Sequence, residues 1–185
     1  MISQVVTELK DTLVATIKGA DDVVTALRDA VKNQIVGTLK NVSEVGSTTL
    51  DSASDVVEAA MVSVQNTGVA VVSIAKVSVS SVVSGVSEVG GDVISAGAKA
   101  VSGAVKGASD LGEDAGVIAV SAIEGVVESL TGLGQDVSEG TKAAVVSAVQ
   151  TADAIGSEVG GSVRKALMSA VSLPKDVVSS VLGKE

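Results

Sequence analysis

The chain of 185 residues is 46% hydrophobic, yet it contains no Phe, Trp, Tyr, His or Cys and a single Pro. That inventory excludes disulfides, thiolate nucleophiles, Ser/His/Asp triads and the imidazole or thiolate ligands of most zinc, copper and haem sites. Twenty-two acidic against 13 basic residues leave a net charge of -9, the wrong sign for neutralising phosphates, and without aromatic faces for bases to stack on, nucleic acid is not an expected partner.

Residues 1–45 read as a more charged N-terminal helical segment. Glu8 and Lys10 come too early for the apolar core of a signal peptide, so residence in the cytoplasm is expected. The stretch DDVVTALRDAVKNQIVGTLK has more charge, more Leu and less Gly than the rest. It should be the most self-sufficient helix, with Asp21 or Asp22 as its N-cap.

Residues 46–177 form a region of 22-residue repeats. Gly46, Gly68, Gly90, Gly112, Gly134 and Gly156 are spaced by 22 and alternate, at eleven, with Val57, Val79, Val101, Ile123, Val145 and Leu167. Two residues after four of these glycines stands an acid: Asp92, Asp114, Asp136 or Glu158. The glycines are expected to punctuate, each supplying a left-handed residue at a helix end while the acid caps or charges the next start. SDLGED and TGLGQD look most like such joints. The alternative is a notch in an apolar face that admits another backbone. The longest uncharged stretch, Ala59 to Ala75, is broken by Gln65 and Asn66, short of the about 20 apolar residues a membrane span needs. Finally, Pro174 can end one helix and open a last short one through Leu182, leaving residues 178–185 as the C-terminal helix end.

One pattern runs through all three segments. From Val5 to Val181 every eleventh residue is uncharged, and the neighbouring series through Val6 has Arg28 as its only charged member. The series through Ile2, Met1 and Leu9 are also mostly apolar or small, with Glu185 their only charge. Eleven residues are three helical turns of about 3.67, so each residue advances about 98° and these five series form one arc. The series through Lys10, Asp11, Ser3, Gln4 and Lys18 fill the opposite arc and hold 31 of the 35 charged residues. A period of two would scatter those charges over both faces, so Val77-Ser78-Val79 and similar Val-Ser pairs do not make the chain a sheet. A β-solenoid with 22-residue coils is the competing architecture. The expected fold class is all-α: long amphipathic helices, continuous or kinked, or folded into an elongated antiparallel bundle.

Helix propensity is poor, since Val, Ser, Gly and Thr make up 95 of the 185 residues. Stability must then come from covering the apolar arc, which spans roughly 130° and is wider than the seam of a two-stranded coil. The bulk available to fill any interior is mainly 39 Val and 24 Ala. Lipid, another hydrophobic surface or copies of the same chain are the expected partners, with a homo-oligomer in the last case.

GGDVISAGAKAVSGAVKGASDLG and GVSEVGGDVISAG resemble the eleven-residue repeats of perilipins and synucleins, and the 22-residue unit is similar to that of the exchangeable apolipoproteins. The resemblance is one of period and composition. It implies reversible coating of droplets, vesicles or lipoproteins by long amphipathic helices, and phasins, which coat polyester granules, are a functional analogue. Lys residues are too few to favour anionic lipid.

No catalytic constellation is present. Asp21-Asp22 and Glu113-Asp114 are acidic pairs on the charged arc or at a joint, and Gly90-Gly91, Gly160-Gly161 and Gly132-Leu133-Gly134 lack the context of a phosphate loop. Arg28 should lay its stem on the apolar face and extend its head to water. No catalytic, cofactor or metal residue is assigned and no cofactor is implied. The expected protein is a non-enzymatic coat or scaffold in the cytoplasm, peripheral to a membrane or granule surface; the alternative is a structural protein whose helices pack into a bundle, tube or filament.

Overall fold

Glycine and aspartate set the helix boundaries at the central joints. The computed structural model describes residue 7 and residues 20–40, 47–64 and 69–183. These form α1 (Ala20–Lys40), α2 (Ser47–Ser63), α3 (Val71–Glu88), α4 (Val93–Leu111), α5 (Ala115–Leu133), α6 (Val137–Ile155), α7 (Ser157–Ser169) and α8 (Lys175–Leu182). The fold is all-α, with no strand among the described residues. Val77-Ser78-Val79 lies inside α3.

Three joints share one local chemistry. Gly90, Gly112 and Gly134 have φ of +71°, +69° and +66°, a left-handed conformation that costs glycine nothing. At the second joint the Gly112 N–H donates to the Ser109 carbonyl at 3.1 Å and the Glu113 N–H to the Ala108 carbonyl at 2.9 Å, so the last turn of α4 is satisfied as the chain turns away. One residue on, the Asp114 carboxylate accepts from the Gly116 and Val117 N–H groups and starts α5. Asp92 caps α4 in the same manner and Asp136 caps α6. Gly156 differs: it is extended, forms the whole joint between α6 and α7, and leaves Glu158 in the first turn of α7. Gly46 and Gly68 lie outside the described residues. Pro174 is the residue that precedes α8.

Neither Asp21 nor Asp22 is the N-cap of the first helix. The helix already runs through Ala20, the residue with the highest helix propensity, and Asp22 is an exposed position within it.

The residues at the eleven-residue positions between the glycines are buried, near the middle of α2 to α6 and closer to the ends of α1 and α7. Ile35, Val57, Val79, Val101, Ile123, Val145 and Leu167 are each at most 2% exposed, one per helix from α1 to α7. Each helix packs against the next in the chain and against the next but one, and helices further apart do not touch among the described residues. The next-but-one contacts of the helices before α7 are the more extensive. The helices therefore form two rows, α1-α3-α5-α7 and α2-α4-α6-α8.

Within a row the helices run parallel, and the same sequence separation joins them again and again. Ser121 Oγ donates to the Val72 carbonyl, Ser147 Oγ to the Ala98 carbonyl and Thr151 Oγ1 to Ser102 Oγ, each pair 49 residues apart. The Lys99–Asp51 and Ser162–Asp114 pairs are separated by 48. Glycines let the backbones approach closely at these seams. A Cβ on Gly125 of α5 would stand 2.7 Å from the Lys76 carbonyl oxygen of α3, and one on Gly103 of α4 would collide with the Ser54 backbone of α2. The notch function of glycine is thus met, but inside the helices and away from the 22-residue set.

Candidate interaction surface

Because the apolar arc is spent on the interior, the surface is built from what remains on each helix. Ion pairs bridge the rows' parallel seams: Lys32 to Glu88 (α1–α3), Lys99 to Asp51 at 2.8 Å (α2–α4), and Lys76 to Glu128 at 2.6 Å and Glu124 at 3.6 Å (α3–α5). The hydrogen bond from Lys76 to Glu128 holds the ammonium above its ordinary value. Exposed pairs contribute about 0–1 kcal/mol each, so their role is chiefly to fix which residues stand opposite each other.

The sequence's acidic pairs do not converge. Asp114 is occupied as a helix cap, Glu113 is an exposed joint residue, and Asp22 faces solvent on α1. Among the described residues no group of three or more carboxylates is placed to hold a metal ion. Gly90 and Gly91 form a joint, Gly160 and Gly161 lie in α7, and Gly132 and Leu133 end α5. Arg28 is exposed and lines a small depression of about 150 Å³ with Asp29, Lys32 and serines of α3. One carboxyl stands apart. Glu58, at the α2–α4 seam where its Cα abuts Gly107, is held above the usual carboxylate range by burial first and by the neighbouring charge of Asp110 second.

Two grooves open beside α5. One, of about 390 Å³, is mainly apolar and is lined by Val72 and Val117, by Val120 and Glu124, and by Ala166 and Ala170 of the α7 end. The other, about 490 Å³, is of mixed character and carries more charge: Ser109, Glu113 and Asp114 face Glu158, Val159 and Ser162. Exposed apolar side chains gather towards the α7 end, with Val117 at 49%, Met168 at 66% and Val171 at 86%. Helices α3 and α5 are each long and apolar enough to cross a membrane, but half of each is buried against other helices. Length and composition together place α3 in that class although Lys76 interrupts it, which a search for uncharged stretches does not detect.

No protein-family model matches the chain, and no curated protein is similar to it.

Sequence reasoning missed the seam-forming residues. Gly103, Gly116 and Gly125, and the hydroxyls of Ser121, Ser147 and Thr151, act between helices, and their only sequence signal is small size: Gly116 lies on the apolar arc, but Gly103, Gly125, Ser121 and Ser147 belong to series of the charged arc. Ser54 and Ser78 are buried hydroxyls with no partner among the described residues, placed by the same requirement for low bulk.

Proposed function

We propose that the protein is a non-enzymatic structural scaffold whose partner is another copy of itself. In this reading one 22-residue unit is a helix and its joint, the eleven-residue pattern supplies each helix's buried arc, and two units make a helix pair that repeats along the array. The observation that carries the reading is the contact pattern: among the described residues each helix meets only its first and second neighbours, the quasi-one-dimensional organisation of α-solenoids. Such arrays present long lateral faces suited to binding rather than a closed pocket suited to chemistry. The exposed apolar side chains Val117, Met168 and Val171 supply a face for a second copy, and cytoplasmic residence is retained as part of the proposal.

Sedimentation velocity and circular dichroism in lipid-free buffer test it. The expected result is a helical chain with a defined, concentration-dependent mass. A chain that is mostly unstructured in buffer, and becomes helical only on neutral lipid vesicles, overturns it in favour of the amphipathic coat on a droplet, membrane or granule. That second reading has its own support, since α3 and α5 combine membrane-spanning length with high apolarity and the arc of the eleven-residue pattern keeps one phase along the whole chain.

A further inference from the structure

The C-terminal edge of the α1-α3-α5-α7 row departs from the pattern that precedes it. Asp153 and Arg164 stand two 22-residue units after Ser109 and Val120. Those earlier residues face α7: Ser109 shares a groove with Glu158 and Ser162, and Val120 shares one with Ala166 and Ala170. Gly116, between them, is the notch that receives α7, since a Cβ there would meet the Ala166 methyl at 2.8 Å and the Ser162 carbonyl at 2.9 Å. Two units on, the notch recurs as Gly160. There it is filled by the chain's own charges. Arg164 donates twice to Asp153, at 2.6 and 2.7 Å, and the atoms nearest to a Cβ on Gly160 belong to these two side chains.

At the other end of the same row no helix covers the outer side of α1 among the described residues. Helix α5 closes on α3 through Ser121 and Gly125, and four units earlier the same places are held by Asn33 and Gly37 of α1. Both are exposed, and a Cβ on Gly37 would meet nothing within 4 Å. Charge is unfavourable as well. Where α5 offers Glu124 and Glu128 to Lys76 of α3, α1 has Val36 and Lys40 at the corresponding places, so an incoming Arg164 would exchange Asp153 for a lysine.

We infer that the Asp153–Arg164 pair is a terminal cap: it covers the edge of α7 on which a further helix would pack, and so bars α1 of a second copy from extending the row head to tail. Repeat arrays need a polar end for this reason, and a head-to-tail contact that does not close grows into open filaments. The inference rests on reading the chain as a repeated helix pair, and it limits the direction in which copies associate: laterally, and not along the row.

The test replaces the cap by the residues of the preceding unit, Asp153→Ser with Arg164→Val, in the full chain. Sedimentation velocity over a concentration series should show the weight-average mass rising about twofold or more above wild type, the signature of an added head-to-tail contact. Adding Gly37→Gln, which fills the vacant notch without touching the fold, should return the mass to the wild-type value. A variant with wild-type helix content and wild-type mass overturns the cap. If that variant loses its helical signal, the charge-neutral but still polar Asp153→Asn with Arg164→Gln decides by the same two criteria. A wild-type chain that is itself not helical in buffer fails the array reading instead, so the two failures are distinct.

Discussion

Helices α1 and α4 bury comparable lengths of chain with different materials. Helix α1 buries Val23, Leu27, Val31, Ile35 and Leu39, one narrow stripe at a spacing of four built of large side chains. Helix α4 buries ten residues, all Val, Ala or Gly, spread over more than half its circumference. The difference follows from position. Among the described residues α1 touches only α2 and α3, whereas α4 touches α2, α3, α5 and α6. A helix with four neighbours must be slim in several directions at once; a helix at the edge can concentrate its bulk on one side.

Truncation should break this comparison most sharply. Leu27→Ala removes the anchor of a single stripe and is expected to lower stability by about 3 kcal/mol, measured as a shift in the denaturant midpoint at constant slope. Enlargement reverses the ranking. Gly103→Ala in α4 forces a methyl into the Ser54 backbone and should cost about 2 kcal/mol, whereas Gly37→Ala in α1 meets open space and should gain about 1 kcal/mol from helix propensity. If both alanines prove neutral, the α2–α4 seam is looser than described.

Caps come next in size. Asp114→Ala removes the acceptor for two backbone N–H groups at the start of α5 and should cost about 1 kcal/mol, with Asp114→Asn retaining most of it.

Proton linkage is expected to be the smallest effect, and it has two opposing signs. Asp92 is held below its ordinary value by the Ser95 hydroxyl and by the N–H groups of Ser95 and Ile94, so its stabilisation is present above the usual aspartate value and is lost as pH falls through the lowered one. Glu58 is held above its ordinary value, so its contribution is complete below the usual glutamate value and is lost as pH rises through the raised one. Asp92→Asn should flatten the acid side of the stability profile and Glu58→Gln the less acid side, each relative to wild type in denaturant melts.

The joints were legible in the sequence because their chemistry is local. A left-handed glycine followed two residues later by a capping aspartate specifies a turn without reference to the rest of the molecule, and Gly90, Gly112 and Gly134 all follow it. The mid-helix core was legible for a related reason, since a residue eleven positions from both joints must lie near the centre of the helix. The seams were not. Whether a small residue is a notch, a spacer or a surface position depends on which helix comes alongside, and Gly103, which receives a backbone, and Gly37, which receives nothing, look alike in one dimension. The Asp153–Arg164 pair illustrates the same limit. Its members are eleven apart and share the charged arc, but they meet because the chain reverses at Gly156.

The restriction of each helix to its first and second neighbours also bears on how the molecule forms. Among the described residues no helix waits for a partner made much later, so loop-closure entropy stays small and native contacts accumulate in the order in which the residues are joined. Emerging from the ribosome, each new helix can settle onto the two that precede it. A polypeptide with such a thin interior thereby avoids long exposure of its valines before its chain is finished.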